Sequence, residues 1–253
     1  MTIELVFVIL SVFVILIGIG SCIVSIWLMV RYIGFNRIQN SAGLTGQEVA
    51  RKILDNNGLH HIGVKATGSM MFGNSYSHYF KKVRLRRMTR YQTSLTSLGI
   101  GAQKASLAIL DKEGDPDMRR RIRLVPMITF GPLAFIPLIL IGVLLDILIF
   151  HSSGVMALVL SGFAILFYFY SFILSLMTLK TEIKAQKRAY DILREEGIVT
   201  EGELADIKEL FKLYNIQYVN DAILSFLELL YNILRIAMQI KNKSEISFTI
   251  SSK

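Results

Sequence analysis

Apolar positions in this chain gather into three long runs, and between the runs the polar stretches keep short, readable periods of their own. Residues 5–30 carry no charge. At about 1.5 Å of rise per residue such a run, wound as a helix, outreaches the roughly 30 Å of a bilayer's hydrocarbon core. Residues 1–30 are therefore expected to form a first, tilted transmembrane helix. A second run over 124–145 contains Pro126, Pro132 and Pro137. It predicts a kinked span whose freed carbonyls find partners in a bundle. The link His151-Ser-Ser-Gly154 leads into a third run over 155–179, so 124–179 reads as an antiparallel transmembrane hairpin.

The stretch 31–123 has different periods. Thr45 with Glu48 three residues on spells a capping box, Val49, Ala50, Ile53 and Leu54 share one helical face, and Asn57-Gly58 marks the end. A short amphipathic helix follows from these signals. Residues 63–74 read as turn-rich. In 81–87, Val83 and Leu85 alternate with Lys82, Arg84 and Arg86, the pattern of a strand with one basic face. Residues 95–110 then form a helix of small side chains, with Gly99, Gly101, Ala102, Ala105, Ser106 and Ala108 letting other backbones approach and Leu95, Leu98, Leu107 and Leu110 supplying bulk. Such a helix belongs in the middle of a fold. Past the hairpin, 180–213 mixes 7 basic and 8 acidic residues and predicts charged helices broken at Gly197 and restarting near Thr200. In 214–240, Asp221, Ser225, Glu228, Asn232, Arg235 and Gln239 recur at steps of three and four, which fits a fourth span turning its polar stripe inward or an amphipathic helix on a surface. The tail 241–253 is expected to be disordered.

Composition agrees with the runs. Of 253 residues 53% are hydrophobic and the mean hydropathy is +0.50, too apolar for a soluble domain of this length. The fold class expected is mainly α: a multi-pass membrane bundle of three or four spans with a small cytoplasmic α+β part. Net charge is +9, but 31–123 alone holds 17 basic against 6 acidic residues. By the positive-inside rule that excess predicts an outside N-terminus and puts 31–123 and 180–213 in the cytoplasm. A cleaved signal peptide is not expected, because the only charge ahead of the first run is Glu4. Cys22 is the sole cysteine, so no internal disulfide can form.

The order of these elements, with Gly43-Leu-Thr-Gly-Gln-Glu-Val-Ala-Arg-Lys-Ile-Leu-Asp55 as its best segment, resembles the YugP-type neutral zinc metallopeptidases of bacterial membranes. In that family the central helix reads approximately Ser-Ile-Ala-Ala-Ile-Gly-Val-Ala-Ala-His-Glu-Val-Gly-His-Ala. Ser94-Leu-Thr-Ser-Leu-Gly-Ile-Gly-Ala-Gln-Lys-Ala-Ser-Leu-Ala108 lines up with it without a gap. The resemblance implies that Gln103 and Leu107 stand where the family has its zinc-binding histidines, and Lys104 where it has the catalytic glutamate. It also implies that Glu182, in Glu182-Ile-Lys-Ala-Gln-Lys-Arg-Ala189, keeps the third ligand, and that Ser77-His-Tyr-Phe80 retains an Asp-His-Tyr-Asp pattern without its acids. An amide is a poor zinc ligand, an aliphatic chain is none, and an ammonium repels the cation. With no metal to hold, Glu182 is expected to pair with Lys104.

The expected function follows: a catalytically inactive membrane homologue with no cofactor, acting as a binding, scaffold or regulatory subunit beside an active paralogue or a membrane protease complex. An active peptidase using a different site and a small transporter or channel component are the alternatives. His60, His61 and His78 are read as ordinary surface or turn histidines and Ser94, Ser97 and Ser106 as packing serines. Lys81, Lys82, Arg84, Arg86 and Arg87, with Arg119, Arg120, Arg121 and Arg123, are expected to meet anionic lipid of the cytoplasmic leaflet or a protein partner. Base-stacking aromatics are missing from the strand, which argues against nucleic acid.

Overall fold

The computed structural model describes residues 3–67, 73–150 and 154–251. The chain is mainly helical with one small sheet. In order it forms α1 (Ile3–Arg37), α2 (Gly46–Asn56), β1 (Gly63–Thr67), β2 (Ser75–Ser77), β3 (Lys82–Arg86), α3 (Arg87–Tyr91), α4 (Leu95–Lys112), α5 (Pro116–Leu145) with a π-helical turn (Asp146–Phe150), α6 (Val155–Glu195) and α7 (Glu201–Ser251). Three helices, Ser11–Arg37, Pro116–Ile149 and Val155–Glu195, are long and apolar enough to cross a bilayer. The contacts divide the chain into two compact units.

One unit takes in Met1–Ser25, Pro126–Leu176 and Val219–Lys253. Its large apolar side chains point outward, among them Phe13, Leu16, Ile23, Phe130, Ile136, Leu148 and Leu166, as in helices solvated by lipid rather than water. At one of the three prolines the freed carbonyl finds the expected partner: residue 132 has no N–H for the carbonyl of Ile128, and the Ser171 hydroxyl donates to that oxygen at 2.6 Å. The hairpin is closed by Asp146, whose carboxylate accepts the backbone N–H groups of Met156 (3.0 Å) and Ala157 (2.7 Å) in the first turn of α6. Its two helices touch at Gly142, where a Cβ would lie 2.8 Å from the Ala157 Cα. The residues 151–153 of the expected link lie outside the described residues.

The C-terminal expectations need correction. Residues 201–251 form one continuous helix, so the tail expected to be disordered is helical to Ser251. Within the polar stripe, Asp221 and Glu228 are exposed while their neighbours Leu227 and Leu229 are buried, and the Tyr168 hydroxyl on α6 donates to the Glu228 carboxylate at 3.5 Å. Among the described side chains of α7 the buried polar one is Asn220, outside the stripe, which donates to the Ser21 carbonyl (3.3 Å) and the Ser25 hydroxyl (2.8 Å).

The other unit, Ile26–Val125 with Met177–Tyr218, is built around α4. Both caps of α2 are as expected: the Glu48 carboxylate takes the Thr45 N–H (2.8 Å), the Thr45 hydroxyl takes the Glu48 N–H (3.3 Å), and beyond Asn57 the Leu59 N–H returns to the Leu54 carbonyl (2.8 Å). Every residue of α4 from Leu95 to Leu110 is buried. The small residues permit this, most clearly where α4 crosses the start of α2: a Cβ on Gly101 would stand 2.4 Å from the Gly46 carbonyl oxygen. Ser94 caps α4, its hydroxyl accepting the Ser97 N–H at 3.2 Å.

The sheet corrects the turn-rich reading of 63–74, which contains β1. The strand order is β1-β3-β2, with β1 parallel to β3 (Val64 opposite Val83) and β2 antiparallel to it (Tyr76 opposite Val83). Val83 and Leu85 are fully buried and Lys82, Arg84 and Arg86 lie on the other face, so the alternation in 82–86 is a strand as expected, and Arg87 opens the helix after it. Gly197 breaks the chain with a positive φ of 59°, and α7 starts behind a second capping box, Thr200 with Glu203.

Candidate functional site

Glu182 stands on α6 beyond the apolar run, with 1% of its surface exposed. Its Oε2 accepts from the Lys104 ammonium at 2.8 Å and from the Gln103 amide at 2.9 Å, and its Oε1 accepts from the Arg121 guanidinium at 2.8 Å. Gln103, Lys104 and Leu107 are buried on α4. Two cations and one amide thus converge on a single carboxylate. Burying such charges is costly, and is offset only where each is paired and hydrogen-bonded as these are.

The pairing of Glu182 with Lys104 is the contact expected from the sequence; Arg121 is not. It lies in the basic stretch 119–123, whose other three arginines, Arg119, Arg120 and Arg123, are exposed. Arg121 instead turns inward against Glu182, which removes it from the surface cations expected to meet lipid. A signal was available in the fourfold spacing that puts Arg121 one turn past Asp117 on α5. That helix is anchored by Asp115, whose carboxylate takes the N–H groups of Asp117 (2.9 Å) and Met118 (3.0 Å) ahead of Pro116 at the first helical position. The same turn meets α6 in a row of ion pairs: Lys184 with Asp115 (2.9 Å) and Asp117 (2.6 Å), Lys180 with Asp117 (3.6 Å), Arg188 with Glu113 (2.9 Å). This row sets α6 against the α4–α5 corner and brings Glu182 to Lys104.

A second cluster, which sequence reasoning missed, sits on the last turn of α4. Asp111 accepts from the Tyr76 hydroxyl at 2.6 Å and pairs with His78 Nδ1 at 2.7 Å and the Lys81 ammonium at 3.4 Å. Burial by itself would raise the Asp111 carboxyl, but the hydrogen bonds from Tyr76 and His78 and the charges of His78 and Lys81 outweigh it and hold it below the usual range. Burial and the same carboxylate push the Tyr76 phenol up. His78 is a turn histidine, as expected, with a carboxylate partner that the sequence did not reveal, whereas His60 is exposed beside Asp55. Lys81 carries φ of 47°, in the left-handed region, at the turn that presents both His78 and itself to Asp111.

Zinc is held by thiolates, imidazoles and carboxylates. Of Gln103, Lys104, Leu107 and Glu182 only the last belongs to that set, and cations already hold both of its oxygens. These residues do not fit a zinc ion. Among the described residues no three of His, Cys, Asp and Glu are grouped as metal ligands would be.

A family model described as "Putative neutral zinc metallopeptidase" matches residues 7–237. The chain is also similar to the "Putative membrane protease YugP" of Bacillus subtilis (strain 168), with 26% identity over 200 residues, covering 78% of this chain and 82% of that protein. No solved structure matches.

Proposed function

Because this chain belongs to the neutral zinc metallopeptidase family, we propose that it is a member that no longer hydrolyses peptides and that serves as a binding, scaffold or regulatory subunit in the membrane. One observation carries this reading: the carboxylate that would complete a zinc site is taken up by the Lys104, Arg121 and Gln103 side chains. A hydrolytic zinc site needs three anionic or imidazole donors, an open position for water and a base beside it. Lys104 is an ammonium where the resemblance puts that base, and Leu107 offers no donor. The charge cluster holds α4, α5 and α6 together as a metal bridge would, so the shape for gripping a peptide or an active paralogue outlasts the chemistry. In this reading residues 31–123 and 180–213 face the cytoplasm.

The test is zinc content and turnover of the purified full-length protein in detergent. Sub-stoichiometric zinc and no cleavage of casein or membrane peptides are expected, and chelator-sensitive turnover would overturn the proposal. The triple change Gln103→His, Lys104→Glu and Leu107→His is expected to raise bound zinc toward one equivalent, because it frees Glu182 from Lys104 and supplies two imidazoles.

A further inference from the structure

Beyond the buried cluster, the sheet offers a surface whose charge the sequence only half revealed. Directly opposed residues in a sheet share a face. Lys65 lies opposite Arg84, Thr67 opposite Arg86, Ser75 opposite Arg84, and Ser77 opposite Lys82. The face away from Val83, Leu85 and Tyr76 therefore gathers Lys65, Lys82, Arg84 and Arg86 with three hydroxyl side chains, and none of its strand residues is acidic. At the turn before β3, Tyr79 and Phe80 are exposed to 68% and 62%, and the Arg84 guanidinium lies 5.2 Å over the Phe80 ring. Behind β3, Met88 and Tyr91 on α3 are exposed as well.

We propose that this sheet face, Lys65, Lys82, Arg84 and Arg86 with Tyr79 and Phe80 at its edge, docks on the anionic phospholipid surface of the bilayer in which the chain is embedded. Three features favour lipid over a soluble polyanion. Among the described residues no carboxylate pairs with Lys65, Lys82, Arg84 or Arg86, and such cations complement an anionic headgroup layer. Exposed aromatics beside them suit the interface, where an amphipathic ring has one end in hydrocarbon and the other among headgroups. The sheet also lies in the chain between two apolar helices, Ser11–Arg37 and Pro116–Ile149, so a membrane is a tethered partner at high effective concentration. Lys81, neutralised by Asp111, and Arg121, committed to Glu182, are not part of this surface. The inference does not depend on whether the protein hydrolyses anything.

The experiment uses the full chain with Cys22→Ser and Ser77→Cys, carrying a fluorophore at position 77, in nanodiscs doped with a headgroup spin-labelled lipid. Discs of pure phosphatidylcholine are compared with discs of three parts phosphatidylcholine to one part phosphatidylglycerol. Quenching is expected to be at least about twofold stronger in the anionic discs, and to fall to the neutral level in 1 M salt, where screening shortens to about 3 Å. The variant Lys65→Gln, Lys82→Gln, Arg84→Gln, Arg86→Gln should lose the difference. Should that variant misfold, the salt dependence of the parent still decides. Equal quenching in both discs, or quenching indifferent to salt, overturns the proposal. Release of the label from anionic discs by a stoichiometric acidic peptide or oligonucleotide also overturns it, by giving the surface to a soluble partner.

Discussion

Glu182 has two cationic partners, and this asymmetry decides which substitution does most harm. Removing the carboxylate leaves Lys104 and Arg121 facing each other without an anion, whereas removing Lys104 leaves Glu182 still held by Arg121 and Gln103. Glu182→Ala is therefore expected to cost on the order of 3–5 kcal/mol, the range for orphaning buried charge, and Lys104→Ala less. Glu182→Gln combined with Lys104→Met should recover part of the loss, since Arg121 can still donate to the amide oxygen. Thermal unfolding in detergent reads all three; a Lys104→Ala loss equal to that of Glu182→Ala would refute the ranking. Asp111 supplies a pH test. Its carboxyl is held below the ordinary value, so the unfolded chain takes up the proton first as pH drops. The stability it contributes is whole above about pH 4 and is lost as pH falls through its folded value. Asp111→Asn should flatten the acid limb of a plot of Tm against pH, and an unchanged limb would show that Asp111 contributes little to it.

At the scale of elements, two close approaches set the geometry, and each rests on a missing Cβ. Where α2 meets α4, Gly101 admits the Gly46 carbonyl. Gly101→Val would force backbone apart in a fully buried helix, a loss of about 1–3 kcal/mol or more by overpacking, read as a lowered Tm. In the hairpin, Gly142→Val would strike the Ala157 backbone and pull the Met156 and Ala157 N–H groups away from Asp146. Paired cysteines at Val143 and Val155, in a Cys22→Ser background, would test hairpin closure by crosslinking yield, which should fall in the Gly142→Val protein. Capping is a smaller effect: Thr45→Ala is expected to lower stability by about 1 kcal/mol, through the loss of one reciprocal pair at the start of α2.

For the molecule as a whole, three helices suited to a bilayer precede and follow 31–123 in the chain, and the basic excess of that stretch is the ground for the cytoplasmic placement proposed above. Ser153→Cys in the Cys22→Ser background should then react with an impermeant thiol reagent applied outside intact cells, and protection there would reverse the proposed orientation. Much of this architecture was legible in the sequence because its signals are local. A run of uncharged residues, a capping box, a 3.6-residue apolar period and a twofold alternation each lie within a single element, as in 5–30, Thr45 to Glu48 and 82–86. The reach of α7 to Ser251 was obscured by the polar residues beyond 240, among them Lys241, Lys243 and Glu245, which lack the apolar period of a packed helix. Strand β1 was lost because its positions do not alternate between buried and exposed, and β2 because 3 residues are too few to show a period; both exist through pairing with β3.

By itself, then, the amino-acid order determined where the chain is apolar and where α2 and α4 begin, and the family resemblance implied that Gln103, Lys104 and Leu107 stand at former metal and base positions. Tertiary structure decided which further groups join the Lys104–Glu182 pair that the resemblance implied. Arg121 reaches Glu182 across 61 positions of sequence, Lys104 across 78 and Gln103 across 79, and Asp111 draws in Tyr76 and His78 from another strand and turn. Periodicity and caps are properties of neighbours along the chain, whereas the partner of a buried charge is fixed only when packing excludes water and leaves one donor within reach.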